Sequence, residues 1–233
     1  MVRKIEVFSR HCYFSTISQH KNRFFNFSRF QCYRNLLETI DLSSANLTFI
    51  LDVAKGGVHF LNQEANHPVI KIREGTEAGA FLKLLQIVEA KNFHPDTILY
   101  FVEDDYLHQR GWVQRLFEVM ELKGIDYATL YDHKDKYTEL YQKLSSKIYV
   151  TASNHWRTIP STTQTFAVRW KTLQEDLQIH RKYSSHCSIS ADHQKFLALT
   201  KKGRTLVSSV PGFSTHVEVE FASPCFDWES TFF

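Results

Sequence analysis

With 233 residues, 43% of them hydrophobic and 14% aromatic, the chain is long and apolar enough to bury a large core, which excludes a disordered protein. A net charge of +3 is too small for a dedicated nucleic-acid binder. Four cysteines without CxxC spacing show no zinc pattern and predict free thiols in a reducing compartment.

Charge is nevertheless uneven. Residues 1–40 carry Arg3, Lys4, Arg10, Lys21, Arg23, Arg29 and Arg34 against Glu6 and Glu38, so a local basic face toward an anionic ligand or an anionic membrane surface is expected. The sequence after Met1 runs into Glu6, Ser9, Arg10 and His11 rather than an apolar segment, and no stretch reaches the roughly 18 apolar residues of a membrane span. A cytoplasmic protein is expected, with peripheral membrane contact through the basic, aromatic segment Lys21 to Arg34 as the alternative placement.

Ile5 to Phe8 reads as a first strand, followed by a polar stretch from Ser9 to Asn22. Apolar residues at Phe30, Tyr33, Leu36, Leu37 and Ile40 predict a helix within residues 23–40. Leu47 to Leu51 reads as a second strand ending at Asp52, with Gly56 and Gly57 marking the turn, and Val69 to Ile72 as a third. Phe81, Leu84, Leu85 and Val88 share one side of a helix over 78–91, which His94-Pro95 ends. Thr97 to Val102 is apolar without alternation, the pattern of a strand buried on both faces. A strongly amphipathic helix follows over 109–123, then a strand over 127–131. This alternation predicts a parallel βαβ layer. In the second half, strands are expected over 147–151 and 163–169, separated by His155-Trp156-Arg157. Helices are expected over 170–180 and 191–202, the latter capped by Ser190, then a strand over 206–210 and an irregular tail holding His216.

The central strand runs directly into Glu103-Asp104-Asp105. Three adjacent carboxylates at the carboxyl end of a buried strand, where α/β sheets bind ligands, need compensation by solvent, by Lys or Arg, or by a divalent cation. A solvated acidic turn favoured by a helix N-terminus is the structural alternative.

Phe101-Val102-Glu103-Asp104-Asp105 resembles the DXD-type motif of nucleotide-sugar-dependent glycosyltransferases of GT-A fold. The blocks 126–137, 155–167, Ser190-Ala191-Asp192-His193 and 210–216 are similar to small family 2-like members from bacterial surface-polysaccharide clusters and large algal viruses. The resemblance covers roughly residues 95–229. It implies an α/β GT-A fold, with a Rossmann-like, mostly parallel sheet flanked by helices and a smaller mixed acceptor-side region. One domain over 1–233 is expected, with a nucleotide-binding half (1–130) and an acceptor or catalytic half (131–233).

The resemblance further implies that Asp105 and His216 hold Mn2+ or Mg2+, and that Asp104 contacts the ribose. Asp52 lies near the base, and Arg10 and Arg23 approach the diphosphate or base. Asp192 becomes the general base of an inverting transfer. His155, Trp156, Arg157, Ser161 and Thr163, with Asp132 and His133, line the sugar or acceptor pocket, since sugars pair apolar faces with aromatics and hydroxyls with polar groups. The implied partners are a nucleoside-diphosphate sugar, with UDP expected over GDP or dTDP, and a glycan or glycolipid acceptor. For each residue a structural role competes: Asp52 as a loop-start Asp bonded to backbone N–H groups, Asp192 as a first-turn Asp, Trp156 as core.

Two other readings stand beside the metal-dependent glycosyltransferase. Acidic clusters at strand ends serve phosphate chemistry generally, so a metal-dependent nucleotidyltransferase or phosphohydrolase is the alternative enzyme, although Ser9 to Asn22 contains no glycine for a phosphate-cradling loop. A non-catalytic carbohydrate- or membrane-binding module is the third.

Overall fold

The computed structural model describes residues 4–15 and 18–232; Arg3 of the expected basic face lies outside them. In chain order the elements are β1 (Ile5–Cys12), α1 (Arg29–Thr39), β2 (Ala45–Asp52), α2 (Leu61–Glu64), β3 (Val69–Ile72), α3 (Glu77–Ala90), β4 (Ile98–Glu103) and β5 (Tyr106–His108). They continue with α4 (Trp112–Glu121), β6 (Tyr127–Thr129), β7 (Ile148–Val150), β8 (His155–Thr158), β9 (Phe166–Arg169), α5 (Trp170–Lys182), α6 (Asp192–Lys201), β10 (Leu206–Val210), β11 (Ser214–His216) and α7 (Trp228–Phe232).

Nine strands form one sheet in the order β3-β2-β1-β4-β9-β6-β10-β8-β7, and β11 pairs with β5 in a second, two-stranded sheet. The first four are parallel to one another, while β9 runs antiparallel to both β4 and β6. The expected α/β architecture is present: a Rossmann-like sheet between helices, parallel on one side and mixed on the other.

The continuous apolar runs are explained by burial on both faces. Val7, Phe49, Leu51, Tyr100 and Val102 meet Tyr33 and Leu36 of α1, Ile40 just after it, and Trp112, Leu116, Val119 and Met120 of α4. Their strand neighbours Phe8, Ile50, Leu99 and Phe101 point the other way, toward α3, α5 and α6. Helix starts follow local chemistry: Ser28 accepts from the Gln31 N–H at 3.1 Å and Thr76 from the Gly79 N–H at 3.1 Å.

Several boundaries differ from expectation. The first helix begins at Arg29 rather than Arg23, because Ser28 is its cap. The fourth starts at Trp112 after Gly111, whose φ of 84° is outside the helical region. Ser190 does not cap α6: Ala191 holds that position, and the Ser190 hydroxyl donates to Ser184 instead. His155-Trp156-Arg157 is itself a strand, β8, and the tail contains β11 and α7. The layer is parallel only as far as β4, because β9 inserts between β4 and β6.

One of these departures, β11, builds the site. In the β5–β11 pair, His216 lies opposite Tyr106, and the Val217 N–H donates to the Asp105 carbonyl at 2.9 Å, which fixes the tail against the end of β4. Among the described residues no helix is long and apolar enough to cross a membrane, and all four cysteines are unpaired.

Phe101, fully buried between Phe8, Phe81 and Phe166, supports the α3 side of the sheet. Phe101→Ala is expected to cost about 3–5 kcal/mol by leaving a cavity. A urea titration reads this as a lower midpoint with an unchanged slope; a change of less than about 1 kcal/mol would contradict the packing described.

Candidate functional site

A cavity of about 710 Å3 opens where β1, β2 and β4 end. Eight of the fourteen residues expected at the site line it: Arg10, Asp52, Asp104, Asp105, His133, Thr163, Asp192 and His216. Arg23, Asp132, His155, Trp156, Arg157 and Ser161 do not.

Asp105 is held from two directions. Its Oδ2 accepts from Arg23 Nη2 at 2.7 Å and lies 2.9 Å from His216 Nε2. The other ring nitrogen of His216, Nδ1, sits 3.2 Å from Glu218 Oε2. Burial opposes charge on both partners, but the Asp105 and Glu218 carboxylates raise the imidazole, and His216 and Arg23 hold Asp105 well below the usual carboxylate range. Lys21 closes the group, with Nζ 3.3 Å from His216 Nε2 and 3.3 Å from Glu218 Oε2.

Asp104 pairs with Arg29 Nε at 3.0 Å and accepts from the Cys12 N–H at 3.2 Å. Burial raises its pKa, with Arg29 acting against the shift. The neighbouring Cys12 thiol is pushed up to about 12, first by burial and then by Asp104, so it is not a nucleophile here.

Glu103 behaves differently. Arg10 Nη2 lies 3.3 Å away, but Arg10 also serves Glu77, through Nη1 at 3.0 Å. Burial, together with the nearby charges of Glu77, Asp105 and Asp192, pushes Glu103 up to about 7 despite Arg10. Asp192 is also raised by burial, against the pull of the fully buried Lys195 at 2.8 Å, whose ammonium donates onward to Gln164 at 2.9 Å. One wall of the cavity therefore carries Glu77, Glu103 and Asp192 around Arg10.

Several expected roles are corrected. Asp52 faces the cavity, but its oxygens accept from the backbone N–H groups of Ala54, Glu74 and Gly75 at 3.0, 3.2 and 2.7 Å, which is the loop-anchoring role. Gly75, at φ 73°, makes that turn accessible. Trp156 is fully buried in the core and does not line the cavity. His155 points to solvent from β8. Arg157 donates to Asp132 at 2.7 Å beneath the Tyr137 ring, and Ser161 bonds His193 at 3.1 Å; these are contacts within the protein.

The residues that sequence reasoning left without a role are Lys21, Arg29, Glu77, Glu103 and Glu218. Glu103 opened the acidic triplet and the two cations belonged to the basic segment, whereas Glu77 and Glu218 carried no signal beyond a helix first turn and a position two residues past His216.

The donor set does not fit a resident divalent cation. Asp105 and His216 are already met by Arg23 and Lys21, Asp104 is met by Arg29, and among the described residues no group of three or more His, Cys, Asp or Glu is placed to hold a metal.

No family model matches the chain, and no curated protein matches it. Among solved structures it is similar to CMP:2-keto-3-deoxy-manno-octonic acid synthetase complexed with CTP, at 15% identity and a TM-score of 0.49, covering 90% of this chain and 92% of that one. The expected glycosyltransferase finds no support in these comparisons: the solved structure reported is a synthetase. At that level of likeness no activity passes to this chain, and the site has to be read from its own residues.

Proposed function

We propose that the cavity takes a nucleoside triphosphate and that the protein is a nucleotidyltransferase, joining the nucleoside monophosphate to a hydroxyl-bearing co-substrate with release of inorganic diphosphate. The observation that carries this reading is the pairing, within one cavity, of a cationic rim with a carboxyl group, Glu103, that shares its one arginine with Glu77; burial and the neighbouring carboxylates push its pKa up to about 7. Lys21, Arg29 and Lys55 line the rim, and Glu103 lies on the wall beside it.

The chemistry follows from that placement. The co-substrate hydroxyl oxygen attacks the α-phosphorus while the bond to the bridging oxygen of the diphosphate breaks. Glu103 takes the hydroxyl proton, and Arg10 beside it limits the charge that this carboxylate would otherwise concentrate. The rim cations compensate the charge growing on the departing diphosphate. Asp104 and Asp105 act on the reaction through Arg29 and Arg23, which they orient. No step is assigned to Mn2+ or Mg2+, because the carboxylates that would hold the ion are committed to protein cations.

Two outcomes test the reading. Incubation with ATP, CTP, GTP, UTP and dTTP, each with a panel of sugars, should release diphosphate in a co-substrate-dependent manner with one of them; diphosphate that appears equally without any sugar would identify a phosphohydrolase instead. With Glu103 as base, the rate should rise with pH through about 7, since the proton-free form is the active one. Glu103→Gln is expected to lower kcat by about 10^2–10^4 and to flatten that rise; a retained limb would assign the base to another group.

A further inference from the structure

We infer that phosphate groups at this site are bound by the protein's own cations, with Lys21 and Arg23 occupying the place between Asp105 and His216 that a divalent ion would take. The inference rests on the nucleotide reading above and concerns how the diphosphate part of that ligand is held.

Asp105 Oδ2 and His216 Nε2 converge on one spot, and two positively charged groups already stand there. Arg23 Nη2 is 2.7 Å from the carboxylate, while Arg23 Nη1 and Lys21 Nζ are 3.4 and 3.3 Å from the imidazole nitrogen. A divalent ion entering this spot would meet a guanidinium and an ammonium at contact distance. Arg23 is also tied down elsewhere, donating to the Val217 carbonyl and the Ser18 hydroxyl, each at 2.7 Å, so it cannot leave Asp105 without losing further bonds. The next carboxylate, Asp104, is matched by Arg29 in the same way.

A second, independent observation points to an anion. Arg10 is 6% exposed and lines the cavity, yet its Nε has no acceptor, and its Nη2 has only the Glu103 carboxylate at 3.3 Å, outside hydrogen-bonding geometry. Guanidinium N–H groups buried without acceptors are satisfied by an oxygen-rich anion and not by a metal ion. Finally, the loop after β1 has no glycine-rich sequence. Ser9 to Asn22 contains no glycine, unlike a glycine-rich loop that cradles phosphate with a tight row of N–H groups, which favours side-chain cations in that role.

The test is calorimetric titration of inorganic diphosphate into the chelator-treated full chain, repeated with Mg2+ and with Mn2+ after correction for ion–diphosphate complexes. Binding is expected in the chelator, changing less than about threefold when either ion is added, and weakening as salt rises. Lys21→Ala and Arg29→Gln should each weaken it by roughly tenfold or more, whereas Arg29→Lys, which keeps the charge, should retain most of it. Circular dichroism identifies a variant that has failed to fold, in which case the ion dependence of the unmodified chain decides. Diphosphate binding only in the presence of an ion, or binding of Mn2+ alone that Asp105→Asn removes, would overturn the inference while leaving the nucleotide reading intact. Absence of diphosphate binding under every condition would overturn both.

Discussion

Three consecutive carboxylates end a strand that is buried on both faces, and the repulsion among them is what the surrounding chain compensates. Each meets one arginine: Glu103 faces Arg10 at 3.3 Å, Asp104 faces Arg29 at 3.0 Å, and Asp105 faces Arg23 at 2.7 Å. All three arginines come from the first thirty residues, which explains why a chain of small net charge begins with a basic segment. The compensation is unequal. Asp105 has His216 as well, so its charge is secured, whereas Glu103 shares Arg10 with Glu77 and lies near Asp192, so its proton is held near neutral pH. Carboxylates two residues apart at one strand end thus acquire opposite pKa shifts from their surroundings.

The same compensation ties the fold to the site. Arg23 and Lys21 precede α1, and His216 and Glu218 lie in and just after β11, so neutralising Asp105 clamps the N-terminal strap and the C-terminal tail over the end of β4. The pairing of β11 with β5 sets that geometry by placing His216 opposite Tyr106. Lys195 plays a comparable part on the opposite wall: fully buried, it pairs with Asp192, whose carboxylate in turn is one of the charges that raise Glu103.

Much of the architecture was legible in the chain itself, for a physical reason. Apolar runs without alternation such as Thr97 to Val102 require burial on both faces, and the 3.6-residue spacing of Phe81, Leu84, Leu85 and Val88 requires a helix against them. The placement of Asp104 and Asp105 at a strand end facing a cavity follows from the same run stopping at charge. What escaped was non-local: β9 enters between β4 and β6 from more than sixty residues downstream of β4, and no local pattern records the direction from which a strand arrives. The resemblance to a glycosyltransferase motif also overreached, because a short acidic motif specifies carboxylates and leaves open which cations meet them.

The sequence by itself determined an α/β protein whose central strand ends in carboxylates and whose first residues supply the opposite charge, because hydrophobic period and charge order are local properties of the chain. Only the tertiary structure decided which cation meets which carboxylate. The separations that set a pKa are created by chain segments far apart, 111 positions between Asp105 and His216 and 195 between Lys21 and His216, and electrostatic energy in a buried site depends on those distances and not on sequence order.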